Sequence, residues 1–129
     1  MRIQHYFLLA CLLLLAACSR NTGGQDLADV NVDLMINPDP PAMGVSVVTI
    51  ILEDLSNVPI EGATVELEGN MNHAGMAPVF SEASETAPGR YEADLDFTMG
   101  GDWFMIVRAQ LSDGRTLERQ IDIGSVRSS

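Results

Sequence analysis

The sequence predicts an all-β domain over residues 29–124, and three observations support that fold class. Apolar residues recur at every second position, as they do in strands that have one buried face. Turn-forming residues interrupt the chain at short intervals, and no segment has the 3.6-residue period of an amphipathic helix. About seven short strands with this spacing are typical of an immunoglobulin-like β-sandwich, and a partly open barrel is the alternative.

The predicted strands differ in how regular their alternation is. The first is the most regular, because apolar residues occupy the even positions from Val30 to Ile36. The second is almost continuous in β-branched residues, as expected of a central strand, and the fourth is weak. Tyr91 and Trp103 are expected to be the largest core residues. The predicted strands are residues 30–36, 45–54, 63–68, 79–83, 91–97, 103–107 and 117–123, and a longer loop covers residues 69–78.

The first eighteen residues have the pattern of a bacterial export signal. Arg2 gives a positive start, and an apolar run of about 12 residues follows, shorter than the roughly 20 that a membrane-spanning helix needs. The run ends in the sequence LAAC, which resembles the lipobox of bacterial lipoproteins. This resemblance implies that residues 1–17 are removed as a signal peptide and that Cys18 carries a lipid with acyl chains such as palmitate. An ordinary secretory signal with an incidental cysteine is the alternative.

A lipid on Cys18 would hold the protein at a membrane surface without spanning the membrane. Residues 18–28 include a Gly pair and are expected to form a flexible tether, and residues 125–129 are expected to form a C-terminal tail. The expected location is therefore the cell envelope, outside the cytoplasm. Because Ser19 rather than Asp follows the cysteine, the outer membrane is expected if the cell has two membranes.

The chain is strongly acidic. It has 18 acidic and 7 basic residues, no lysine, and a formal net charge of −11 at pH 7. Such a charge repels a phosphate backbone, so nucleic acid is not an expected partner. Most of the acidic residues are interpreted as a solubilising surface.

The sequence contains no recognisable set of catalytic residues. If residues 1–17 are removed and Cys18 is lipidated, no free thiol remains for catalysis or metal binding. His73 is then the one histidine, and neither a nucleophile elbow nor a glycine-rich phosphate loop accompanies it. An enzymatic function is therefore not expected.

A Met/His loop after the third predicted strand is the candidate for chemistry. Met71, His73 and Met76 place two thioethers and one imidazole within six residues. Thioethers suit Cu(I), and imidazole binds copper in either oxidation state. If the strands alternate in direction, the first, third and fifth connections lie at one end of the domain, which adds Met43 and Met99 to the candidate metal site. Copper is the hypothesis for the cofactor; the alternative is that these methionines only cap the open end of the core.

Four segments resemble, in order, the YtkA-like domain family, which includes relatives of the FixH proteins. They are residues 57–65 (NVPIEGATV), 71–78 (MNHAGMAP), 89–93 (GRYEA) and 97–103 (FTMGGDW). The resemblance extends roughly over residues 45–110 and implies an extracytoplasmic immunoglobulin-like sandwich. By analogy with FixH relatives, it also implies copper handling in respiratory oxidase assembly.

Two functional hypotheses follow from these observations. In the first, a lipid-anchored binding domain holds copper at Met71, His73 and Met76, with Met99 or Met43 completing the site, and passes it to a membrane-bound acceptor. In the second, the domain binds no metal and is a structural or interaction module that presents a sheet edge or its loops to another envelope protein.

Overall fold

The computed structural model describes residues 26–128. The predicted signal peptide at residues 1–17, the lipidation site Cys18 and most of the predicted tether lie outside the described residues. Within the described part, no helix is long and apolar enough to span a membrane. The seven strands are β1 (Val30–Asn37), β2 (Gly44–Asp54), β3 (Thr64–Met71), β4 (Val79–Ala87), β5 (Arg90–Phe97), β6 (Gly101–Gln110) and β7 (Thr116–Val126).

The seven strands form one sheet in the order β1-β2-β5-β4-β3-β6-β7, and every neighbouring pair is antiparallel. The two halves, β1-β2-β5-β4 and β3-β6-β7, have the strand order of a seven-stranded immunoglobulin-type sandwich. They are joined because β4 pairs with β3 through residues 79–83 and with β5 through residues 84–87. The prediction of an all-β fold with seven strands is confirmed, while the two halves form one nearly closed sheet rather than two separate ones.

The core lies between the two halves and follows the predicted alternation. Tyr91 and Trp103 are fully buried, which confirms them as the largest core residues. The rings of Phe97 and Trp103 meet edge to face, with centroids 5.2 Å apart and planes at 88°, an arrangement that aromatic pairs favour. The other large, fully buried residues are Ile50, Leu52, Leu67, Leu95, Met105 and Leu117.

The third strand extends further than the sequence predicts, so the loop after it is shorter. Gly69 pairs with both Val79 and Met105 and so belongs to β3. Its position is crowded, because a Cβ atom there would lie 3.1 Å from the side chains of Leu95 and Val79. This glycine therefore permits close packing of the strand and does not begin a turn. As a result, the ladder continues to Met71, which lies directly opposite Trp103.

Both ends of the described chain contact the domain. β7 continues to Val126, which is buried, and Arg127 forms a parallel bridge with Ala42. At the other end, the Arg119 guanidinium forms an ion pair with Asp26 and donates to the carbonyl of Leu27 at 3.0 Å.

The Tyr91 hydroxyl connects the core to the chain between β2 and β3. It donates to the carbonyl of Ile60 at 2.8 Å and accepts from the N–H of Ala63 at 3.1 Å. Burial raises the pKa of this hydroxyl above its ordinary value, so the group stays neutral and keeps its proton for donation. The Tyr91 hydroxyl therefore satisfies two backbone groups where the chain leaves the sheet.

We expect Tyr91→Phe to lower the free energy of unfolding by about 1–2 kcal/mol, because it removes both hydrogen bonds and keeps the ring. Urea denaturation followed by tryptophan fluorescence measures the change. As a control, Phe80→Leu alters a side chain that is 61% exposed, and it should shift the stability by no more than about 0.5 kcal/mol. If Tyr91→Phe is as stable as the unaltered protein, the hydroxyl does not have this role.

Candidate metal centre

The alternating strand directions bring three connections to one end of the domain. These are residues 38–43 between β1 and β2, residues 72–78 between β3 and β4, and residues 98–100 between β5 and β6. We call this end the loop pole. Consecutive strands in the chain run in opposite directions, so every odd-numbered strand ends at the loop pole and every even-numbered strand begins there.

A cavity of about 390 Å³ opens at the loop pole. Its lining residues are Met71, Asn72, His73, Met76, Met99, Gly100, Gly101 and Asp102. The structure therefore brings together Met71, His73, Met76 and Met99, four of the five residues that the sequence predicts as metal ligands. Met71 comes from the end of β3, and the other three come from two separate connections.

The fifth predicted ligand, Met43, lies at the same pole but does not line the cavity. Its backbone N–H donates to the carbonyl of Arg127 at 2.9 Å. The next residue, Ser128, lies against Gly100, where a Cβ atom would be 2.9 Å from the Ser128 nitrogen. The C-terminal segment thus contacts both the β1–β2 connection, which carries Met43, and the β5–β6 turn, which carries Met99.

Met71 is positioned by the ladder between β3 and β6. It is the last residue of β3, and the pairing continues one step beyond it, because the Asn72 N–H donates to the Asp102 carbonyl at 3.2 Å. The Met71 methyl group packs on Gly101, where a Cβ atom would lie only 3.0 Å from it. Gly101 has φ of +122°, which other residues rarely adopt. The absence of a side chain there gives the methionine its place beside the cavity.

Met99 is held in position by the core. The buried Trp103 ring donates its Nε1–H to the Met99 carbonyl at 3.0 Å, which ties the β5–β6 turn to the centre of the domain. The Met99 side chain itself is 44% exposed. The backbone of this turn is thus fixed, while its thioether remains accessible from solvent.

His73 and Met76 belong to the connection between β3 and β4. The His73 side chain is exposed, and its Nδ1 lies 3.3 Å from the carbonyl of Ala74. Gly75 has φ of +85° and allows the chain to reverse. Met76 follows directly and is half-buried. The turn thus brings one exposed imidazole and one partly covered thioether to the same cavity.

Asp102 also lines the cavity, although it is not among the predicted ligands. Its position directly after the Met99-Gly100-Gly101 turn is a signal that could have identified it. Among residues 26–128, no three His, Cys, Asp or Glu side chains are grouped as a metal site. A metal in this cavity would therefore depend on the methionine thioethers, with His73 and Asp102 as the other donors.

The fold and the cavity define a small all-β domain with sulfur and imidazole donors at one end. The family model described as YtkA-like matches residues 24–108, more than half of the sequence. The chain belongs to the YtkA-like family, which confirms the resemblance seen in its sequence. The comparison with curated proteins finds no match.

Among solved structures, the chain is similar to the soluble domain of PmoD from Methylocystis sp. ATCC 49242 (Rockwell). The two sequences are 15% identical, and the TM-score is 0.49. The alignment covers 81% of this chain and 94% of that chain.

The packing of Met71 on Gly101 leads to a prediction about stability. We expect Gly101→Ala to lower the free energy of unfolding by about 2 kcal/mol, because it adds both backbone strain and a close contact. The Met71 methyl resonance should shift in the NMR spectrum.

Gly114→Ala is the matched control, because Gly114 also has a positive φ, +88°, but has no atom within 4 Å of a Cβ position. This variant should lose only about 1 kcal/mol through backbone strain, with the Met71 resonance unchanged. Equal losses in the two variants, with Met71 unaffected in both, would contradict the proposed packing.

Proposed function

We propose that this YtkA-like protein binds a copper ion as Cu(I) in the cavity at the loop pole. The observation that supports this proposal is the lining of the cavity, where the side chains of Met71, His73, Met76 and Met99 converge from the end of β3 and from two connections. Three thioethers and one imidazole are an unusual concentration of soft donors at a protein surface, because methionine normally fills gaps in a core.

The donor set favours copper over harder metal ions. Thioether sulfur selects Cu(I), and imidazole binds copper in both oxidation states. Ca²⁺ and Mg²⁺ require several oxygen ligands, whereas Asp102 supplies the one carboxylate among the residues that line this cavity. A single carboxylate beside several thioethers is a poor site for either of these ions.

The exposure of the donors supports an exchangeable ion. Met71 and Met76 are half-buried, while His73 and Met99 are exposed. An ion held by this set can be reached from solvent on one side, as transfer to an acceptor requires. We therefore propose that the protein carries copper to a membrane-bound acceptor, with respiratory oxidase assembly as the process that the FixH resemblance implies.

We further propose that a lipid on Cys18 anchors the protein outside the cytoplasm. β1 begins at the end of the domain opposite the loop pole, because it runs towards that pole. A tether that enters β1 is therefore attached to the domain at the end opposite the cavity. Delivery to a membrane-bound acceptor therefore requires the domain to reorient on its anchor.

Anaerobic titration with Cu(I), in competition with a coloured chelator, tests the copper proposal. We expect the purified protein to bind one ion, and we expect the double variant Met71→Leu/Met76→Leu to bind at least about a hundredfold more weakly, if each lost thioether costs about 1.4 kcal/mol. Leucine keeps the volume and apolar character of methionine, so the loop pole should keep its fold.

Two single variants serve as controls for this titration. Met35→Leu alters an exposed methionine in β1, and Met43→Leu alters a methionine at the loop pole that does not line the cavity. Both should bind copper as the unaltered protein does. The copper proposal is wrong if the unaltered protein binds no Cu(I), or if the double variant binds it equally well.

The lipid anchor is tested by labelling cells with radioactive palmitate. We expect Cys18→Ser to abolish incorporation, because the thioether acceptor is lost. Cys11→Ser is the matched control: it removes the other cysteine, which lies in the apolar run, and should leave the label in place. Persistent label on the Cys18→Ser protein would rule out this anchor.

A further inference from the structure

The sheet has an open seam between its first and last strands. β1 and β7 are the two edges of the sheet, and they run in the same direction because seven strands alternate. Paired strands lie about 4.8 Å apart, but β1 and β7 do not approach each other in this way along their length. We define the seam as the gap between residues 34–37 of β1 and residues 121–123 of β7.

The seam is closed at both ends. At one end, the Arg119 guanidinium donates to the carbonyl of Val30 at 3.1 Å. At the other end, Ala42 and Arg127 form a parallel bridge, and Arg127 donates its N–H to the Pro41 carbonyl at 2.9 Å. These contacts connect β1 and β7 at the two ends of the seam and leave its middle unpaired.

The groove combines apolar side chains with the free edges of two strands. It contains a cavity of about 560 Å³ whose apolar lining includes Leu34, Ile36, Ile121 and Ile123. All four are partly buried and pack against the core. Edge strands present backbone N–H and C=O groups that are available for pairing. A ligand for this groove needs apolar side chains to contact the lining and backbone groups to pair with the strand edges. An extended peptide has both.

The strand directions specify how such a peptide would lie. A segment that runs opposite to β1 is also antiparallel to β7, because those two strands are parallel to each other. It would add an eighth strand, and eight alternating strands can close into a barrel in which every pair is antiparallel. An extended segment in the seam therefore removes both free edges at once.

The charges in the seam indicate which peptide it would prefer. Asp39 and Asp122 line the cavity, and neither forms a salt bridge within residues 26–128. Arg90, which also lines the cavity, is already paired with Glu92 at 2.9 Å. Asp122 accepts a hydrogen bond from the Gly124 N–H at 3.1 Å, which leaves its negative charge unneutralised. Two carboxylates without an ion-pair partner among residues 26–128 would favour a peptide that carries Arg or Lys.

We propose that the seam binds an extended segment of a partner protein as an eighth strand. The segment has apolar residues at alternate positions and at least one Arg or Lys. This chain's own residues 19–25 do not have that composition, since they read SRNTGGQ and contain no apolar side chain to fill the groove. The inference is independent of copper, because the seam and the metal cavity share no lining residue.

Selection of phage-displayed heptapeptides on the full-length protein in detergent micelles tests this proposal. We expect the enriched peptides to alternate apolar and polar residues and to include Arg or Lys. A synthetic copy of an enriched peptide should slow amide hydrogen exchange in residues 34–37 and 121–123, where it would form new backbone hydrogen bonds.

Two double variants make the test specific. Asp39→Asn/Asp122→Asn should weaken binding of the synthetic peptide about three- to tenfold, while Asp94→Asn/Asp96→Asn, on exposed positions of β5 outside the cavity, should not. The proposal is overturned if no peptide is enriched, or if protection falls outside the two edge strands. It is also overturned if the edges are protected without peptide in a concentration-dependent dimer, since a second copy of the chain would then occupy the seam.

Discussion

The position of Trp103 is the constraint on which the candidate metal centre depends. Its ring is buried against Phe97 in the core, and its Nε1–H donates a hydrogen bond to the Met99 carbonyl. The same residue lies opposite Met71 in the ladder between β3 and β6. Trp103 therefore connects both walls of the cavity to the core, one through its ring and the other through its backbone pairing. The backbones of Met71 and Met99 are thus both held by a residue of the close-packed core.

The number and direction of the strands explain the two surfaces that we associate with function. Alternating directions bring three connections to one end and so create the loop pole. An odd number of alternating strands leaves the first and last strands parallel, so they cannot close the sheet by antiparallel pairing. The copper proposal and the strand-addition proposal therefore rest on the same topology, although they use different residues and can fail separately.

The sequence predicts the strands well because their period of two directly reflects one buried face. It also predicts the loop pole, because consecutive strands joined by short connections run in opposite directions. It does not predict that β4 divides its pairing between β3 and β5, because that depends on how the two halves meet. Nor does it predict that Met43 lies outside the cavity lining, with its N–H bonded to Arg127, a residue distant in the chain.

Three of the four segments that resemble the family contain residues with structural roles in this chain. Gly89, with φ of +69°, lies where a Cβ atom would be 2.7 Å from the Leu52 carbonyl. The Tyr91 hydroxyl forms hydrogen bonds with two backbone groups between β2 and β3. The Trp103 Nε1–H donates to a backbone carbonyl in the β5–β6 turn. Of these residues, Trp103 acts at the loop pole, whereas Gly89 and Tyr91 act at the opposite end of the domain. The fourth segment, residues 71–78, carries three of the donors. The case for copper rests on the side chains that this sequence places at the loop pole. Met71 contributes to the fold as the last residue of β3 and to the candidate site as a lining residue of the cavity.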